Sequence, residues 1–360
     1  MQSIRFGLVG AGLMGREHLR NLALFGEAQV TALVDPVADS LHRALATLGP
    51  KAAAAQTFAT VEAMLAGAEL DAVLVASPNF THRQVLEPLL CTRLAILCEK
   101  PLCTTLADAV WVAEAAARRD GLFWTGMEYR YMPPVERFIA AVHGGEIGRL
   151  VMLSIREHRF PFLAKVGDWN RFNRNTGGTM VEKCCHFFDL MRLIIGAEAV
   201  SVFCSGAMDV NHKRESYDGE IPDILDNSYT IVDFENGVRA MLDLCMFAEG
   251  EVQQEAIAAV GDAAKLEVTI PSGVLVHSAR TAPGAPKTPM RTHVEVDAAA
   301  LHAGTHHGAT YYQLAAFLRA VKREGPVQVT AQDGLAAVRM GLAAELSARE
   351  KRVVRISELG

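Results

Sequence analysis

The feature that most narrows the fold of this chain is a glycine pattern, Gly10-Ala11-Gly12-Leu13-Met14-Gly15. It stands between a short apolar run, Ile4 to Val9, and a segment of helical apolar spacing, Met14 to Leu24. A glycine turn joining a strand to a helix has a steric and an electrostatic reason. The first glycine makes the tight turn, the second lets backbone approach a pyrophosphate, and the third lets helix and strand pack closely, with the phosphates at the helix N-terminus. Asp35 closes the next apolar run, Val30 to Val34, twenty positions after Gly15. An acidic side chain there can accept hydrogen bonds from the ribose hydroxyls of a dinucleotide. Pro36 follows it, not arginine, so nothing adjacent would neutralise a ribose 2'-phosphate, and NAD is expected in preference to NADP.

Around this turn the first 125 residues alternate strand-like and helix-like segments. Ala72 to Ala76, Leu94 to Cys98 and Leu122 to Thr125 are further short apolar runs. Ala38 to Leu48, Val61 to Leu65, Arg83 to Leu90 and Leu106 to Arg118 have helical spacing between them. Repeated strand-helix units predict a doubly wound parallel sheet covered on both faces, a Rossmann domain. After Tyr129-Arg130-Tyr131-Met132-Pro133-Pro134 the pattern changes. Leu150 to Arg156, Ser228 to Phe234 and Val238 to Leu244 alternate as half-buried strands, with Asn236-Gly237 as a hairpin turn. Gly178 to Ile195 reads as the main helix of this half, Ala309 to Lys322 and Ala331 to Arg349 as closing helices, and Thr281 to Pro289 as a surface loop. At 360 residues the chain exceeds what one core usually organises. The expected class is α/β: a Rossmann domain over residues 1–126, then a substrate-binding and oligomerisation α+β domain over 127–360 with a large, mainly antiparallel sheet.

Composition excludes several classes. Hydrophobic residues make up 50% and charged residues 21%, which rules against disorder. A formal charge of −6, with Lys and Arg scattered, offers no attraction to nucleic acid. No uncharged apolar run approaches the length of about 18 residues needed to span a membrane. Met1 to Gly7 lacks the features of an export signal, and seven cysteines, an odd number, fit reduced thiols. A cytoplasmic protein is expected. Cys184-Cys185-His186 contains metal-ligand types, but adjacent helical residues point to different sides and no matching Cys or His pair has zinc spacing. No metal is expected.

Three motifs together identify a resemblance. Ser77-Pro78-Asn79-Phe80-Thr81-His82 and Glu99-Lys100-Pro101 follow strand-like runs, and Gly177-Gly178-Thr179 opens the segment that carries Glu182, His186 and Asp189. These resemble the glucose-fructose oxidoreductase and inositol dehydrogenase (Gfo/Idh/MocA) family, over the whole chain. The resemblance implies hydride transfer between a secondary hydroxyl of a sugar, cyclitol or sugar derivative and the nicotinamide of NAD. It implies a cofactor site from Gly10, Gly12, Leu13, Met14, Gly15, Asp35, Ser77, Asn79, His82, Glu99 and Lys100, and a Lys100 that reaches the substrate hydroxyl. A lysine so placed can stabilise developing alkoxide charge while protonated, or join a proton relay if burial lowers its pKa.

Glu182, His186 and Asp189 are spaced i, i+4 and i+7, so on one continuous helix they share a face. His186, with an ordinary pKa of about 6.5, is the natural general acid/base. Glu182 is expected to orient it, and Asp189 to join the substrate contacts. The family usually has aspartate where Glu182 stands and often glycine where Cys184 stands. Trp169 occupies the place of a family aromatic near the nicotinamide or substrate. Arg130 and Tyr131 match an arginine and aromatic at the crossing between domains. His302, His306 and His307 are candidate donors to a polyhydroxy substrate, and a homodimer or homotetramer is expected. Two alternatives stand beside the dehydrogenase: an NAD-assisted glycoside-cleaving enzyme and a non-catalytic dinucleotide-sensing regulator. The presence of both Lys100 and His186 argues against the regulator.

Overall fold

The computed structural model describes residues 3–360, which divide into two compact units. The first comprises the chain up to Glu128, together with Lys165–Trp169 and Asp297–Val338. Its six strands are β1 (Ile4–Val9), β2 (Ala28–Val34), β3 (Gln56–Phe58), β4 (Ala72–Val75), β5 (Ala95–Glu99) and β6 (Phe123–Gly126). All pair in parallel, in the order β3-β2-β1-β4-β5-β6. Every residue of β4 and β5 is buried, as expected of strands covered on both faces. The strand order reverses between β1 and β4, and ligands of open α/β sheets bind outside the carboxyl ends at that point. Helices α1 (Leu13–Leu22), α2 (Ala38–Leu48), α3 (Val61–Gly67), α4 (His82–Leu90) and α5 (Leu106–Arg118) connect the strands. The short β3, mostly exposed, carries too little apolar pattern to be read from sequence.

The second unit comprises Tyr129–Ala164, Asn170–Val296 and Arg339–Gly360. Helix α6 (Pro133–His143) precedes β7 (Leu150–His158). The short helices α7 (Asn173–Thr176) and α8 (Thr179–Glu182) lead into α9 (Cys185–Ile195). Then come β8 (Ala199–Ala207), β9 (Asn227–Phe234), β10 (Arg239–Cys245), β11 (Glu255–Gly261), β12 (Ala264–Ile270), β13 (Val274–Ala279), β14 (Met290–His293) and β15 (Val354–Arg355). They form one nine-stranded sheet, β14-β13-β12-β11-β7-β10-β9-β8-β15. All its pairs are antiparallel except β7 with β10. Strict alternation in β9, β11 and β12 buries one face of the sheet. Helices α10 (Ala298–Ala303) and α11 (Ala309–Val321) follow β14 in the chain but count by contact with the first unit, where Phe317 of α11 packs edge-on against Trp124 at 6.0 Å. The final helix is α12 (Ala331–Glu350).

One expectation is corrected. The segment read as a single helix from Gly178 to Ile195 is α8 and α9 with Lys183 and Cys184 between them. The Cys184 amide hydrogen-bonds back to the Thr179 carbonyl, five residues earlier, which widens the coil and interrupts the regular ladder. Such local widening is common at functional sites.

Candidate active site

At the carboxyl edge of β1, Gly10 has a φ of +92°. A Cβ there would collide with the backbone of Ala76 and Ser77, so the turn is pressed onto the end of β4. A Cβ on Gly12 would meet nothing within 4 Å, which leaves backbone open on the other side. Leu13 and Met14 then open α1. Asp35 accepts hydrogen bonds from Ala11 N and Val37 N, both at 2.8 Å, one on each oxygen. A carboxylate has about four acceptor positions, so two remain for a pair of ribose hydroxyls. Open turn backbone, a helix N-terminus and a fixed carboxylate together fit a dinucleotide.

The neighbouring strand ends are tied together from below. His82 is fully buried, with Nδ1 2.9 Å from the Pro101 carbonyl and Nε2 3.1 Å from the Ser77 carbonyl. It therefore links the loop after β4, which carries Ser77 and the buried Asn79, to the turn after β5. In that turn the Lys100-Pro101 peptide is cis. Glu99 accepts a hydrogen bond from His18 Nε2 at 2.7 Å with one oxygen and from Lys100 N at 3.2 Å with the other. The turn carrying the half-buried Lys100 is thus fastened to α1, the helix of the glycine turn. Trp169 also counts with this unit, edge-on to Phe80 at 5.9 Å.

Beneath lies a cluster that sequence reading did not find. Glu17 of α1 receives Thr305 Oγ1 at 3.1 Å, His306 Nδ1 at 2.9 Å and Thr310 Oγ1 at 2.9 Å, and Thr310 Oγ1 also lies 2.8 Å from Glu128. Burial would push the Glu17 carboxyl up, but His306 and Thr310 overcome it and hold it at about 2. Burial raises Glu128. Of the three histidines crowded in sequence, His306 belongs to this network, while His302 is exposed with Nδ1 2.6 Å from the Ala298 carbonyl. His307 sits at a φ of 52° just before α11.

In the second unit Gly178 has a φ of +94°, and a Cβ there would collide with the Glu345 carboxyl. Glu345 in turn accepts Met180 N at 2.9 Å, so it supports the turn into α8. Glu182 ends α8, and His186 and Asp189 lie in α9, all three buried. Because the helix is interrupted, the shared-face spacing holds only for His186 and Asp189. The His186 ring stacks on Tyr129, centroids 4.0 Å apart and planes 8° apart. Asp189 has both oxygens on the Arg130 guanidinium, Oδ2 2.5 Å from Nε and Oδ1 bonded to Nη2. Sequence reading missed Tyr129, Lys183 and Glu345. The only signal for Lys183 was a second charged residue directly after Glu182 in the segment that leads to His186.

Residues 4–127 match the model of the oxidoreductase family NAD-binding Rossmann fold, and residues 139–356 match that family's C-terminal alpha/beta domain. The chain belongs to the Gfo/Idh/MocA oxidoreductase family. Gfo/Idh/MocA relatives include a myo-inositol 2-dehydrogenase of Thermotoga maritima, 26% identical over 99% of each chain. An inositol 2-dehydrogenase of Rhizobium meliloti is 24% identical over 99% of this chain and 100% of that protein. Among solved structures, a levoglucosan dehydrogenase in complex with NADH superposes with a TM-score of 0.85 over 99% of each chain at 17% identity, a likeness of fold. Among the described residues of this Gfo/Idh/MocA protein, no cluster of three or more His, Cys, Asp or Glu could hold a metal ion, and no helix is long and apolar enough to cross a membrane.

Burial pushes the Glu345 carboxyl up to about 7, from an ordinary 4.5. The folded protein then keeps a proton that the unfolded chain has lost, so the contribution of Glu345 to stability should fall as pH rises from 4.5 to about 7 and level off above that. The slope is at most about 1.4 kcal/mol per pH unit. Glu345→Gln keeps an oxygen for Met180 N and removes the charge, so the pH dependence of its denaturant unfolding should be shallower than that of the wild type across that window. An unchanged pH dependence would contradict the assignment.

Proposed function

We propose that this protein transfers a hydride between a secondary ring hydroxyl of a sugar, cyclitol or sugar derivative and the nicotinamide of NAD. The observation that carries this reading is the Glu99 clamp, which fastens the Lys100 turn to the helix of the dinucleotide turn. A lysine is thereby fixed at the same sheet edge where open α/β sheets bind ligands. Gly10, Gly12 and Gly15, with Leu13 and Met14 at the start of α1, hold the pyrophosphate. Asp35 takes the ribose hydroxyls, and Ser77 and Asn79 complete the cofactor side. Bound NAD supplies the hydride acceptor.

The remaining work falls to side chains. Lys100 stabilises alkoxide charge on the reacting hydroxyl. His186 takes the hydroxyl proton as hydride leaves carbon, and Glu182 orients His186 and balances its charge. Asp189, with both oxygens on Arg130, anchors α9, and Trp169 supplies an aromatic wall. The inositol 2-dehydrogenases among the relatives support a polyhydroxy ring as substrate. The outer face of the second unit's sheet exposes Met152, Phe203, Tyr229, Ile231 and Met241, an apolar surface that we assign to self-association as a dimer or tetramer. Sedimentation equilibrium should give more than a monomer, and a monomeric wild type would refute that assignment.

The Asp35 carboxylate would lie near a 2'-phosphate and repel it, so NAD should bind more tightly than NADP, and Asp35→Ser should narrow the gap. Titration of both cofactors checks this; equal wild-type affinities would count against it. Lys100→Ala and His186→Ala should each lower kcat/KM by at least about two orders of magnitude while keeping NAD affinity. The double variant should lose less than the product of the two, because both serve one proton transfer. Near-normal rates in either single variant would remove that residue from the mechanism.

A further inference from the structure

His186 acts as a proton acceptor only if its ring points correctly, and α9 alone leaves its χ2 torsion broad. The structure supplies what fixes it. Tyr129 lies flat against the imidazole at 4.0 Å with 8° between the planes, so the ring cannot tilt without losing that contact. Tyr129 is itself held at its far end, where Lys183 Nζ donates to the phenol oxygen at 2.6 Å. Lys183 Nζ also lies 2.9 Å from Glu157 Oε1, and its ammonium is 4.7 Å from the Tyr129 ring.

This anchor reaches the sheet. Glu157 of β7 stands directly opposite Glu255 of β11 in the strand register, and both are buried. Two opposed carboxylates destabilise a sheet unless a cation or a proton intervenes. Burial and then Glu157 push the Glu255 carboxyl up to about 8, and Lys183 supplies the cation. A buried ion pair is weak support for stability, since an apolar side chain of similar volume does as well. A charged group at Lys183 is accounted for by what it holds. Here that is the phenol against which His186 rests.

The geometry points to Tyr129 as a positioning residue for His186, with Lys183, seated on Glu157, as the anchor that keeps the phenol in register. This rests on the reading of His186 as the proton acceptor. A displacement of a reacting group by about 1 Å can cost on the order of 10²-fold in rate, so loss of the stack should be visible in turnover.

Three variants, one of them for assigning the signals, and two readouts test this. The His186 imidazole protons, identified in NMR spectra of the ligand-free protein by their absence in His186→Gln, should carry the upfield shift that a stacked ring imposes. Tyr129→Leu should abolish that shift and lower kcat about tenfold or more, with NAD affinity unchanged. Tyr129→Phe restores the ring without its anchor, so shift and kcat should fall between those of the wild type and Tyr129→Leu. Wild-type signals or wild-type kcat in Tyr129→Leu would overturn the inference, and a Tyr129→Phe variant identical to the wild type would overturn the part assigned to Lys183. Normal turnover in His186→Gln would instead overturn the proton-acceptor reading, while the spectra would still report whether the stack exists. The Phe substitution deletes only an oxygen, which keeps the test open if Tyr129→Leu fails to fold.

Discussion

Three carboxylates buried in the first unit, Glu17, Glu99 and Glu128, must find partners without leaving the core, and the unit's polar architecture follows from how they do so. An unpaired buried charge is too costly to keep. Glu99 takes His18 and the Lys100 amide, which joins the turn after β5 to α1. Glu17 takes Thr305, His306 and Thr310, which brings the segment before α11 onto the same helix. Glu128 shares Thr310 with Glu17. One helix therefore carries the glycine turn at its start and, one turn later, the side chains that fix both the lysine turn and the distant segment.

The second unit solves a similar problem with charges of both signs. Arg130 and Asp189 form a bidentate pair with little exposure, and Lys183 lies 2.9 Å from Glu157 beneath α9. Glu345 holds the amide of Met180 where Gly178 leaves room for it. Each of these contacts acts on the short stretch from Gly178 to Asp189. A helix built only for packing would not need two buried ion pairs and a buried carboxyl on its first turn, nor the interruption at Lys183 and Cys184. These supports make sense for a segment whose side chains must hold fixed directions.

What could be read from sequence was what is local. The glycine turn, Asp35 and the apolar runs of the parallel sheet each declare themselves within a few residues, because tight turns and fully buried strands constrain residue type directly. The Glu-Lys-Pro turn and the histidine of α9 were visible by resemblance. What stayed hidden depends on long-range pairing. Nothing in β7 or β10 signals that they run parallel, and nothing in Trp169 signals that it packs on Phe80. The break between α8 and α9 arises from one amide bonding five residues back, which the apolar spacing of that segment does not encode. His306 stands in sequence as one of three candidate substrate donors, and nothing near it signals that it pairs with Glu17, almost three hundred positions earlier.

Net hydride transfer from a ring alcohol to NAD is open to a direct assay. Purified protein with NAD should be offered inositols, hexoses, anhydrosugars and amino sugars one at a time, with reduced nicotinamide followed by its absorbance. At least one ring alcohol should yield reduced NAD in step with a ketone product. Release of free sugar from a glycoside without net reduction of NAD, or cofactor binding with no turnover on any of these compounds, would contradict it.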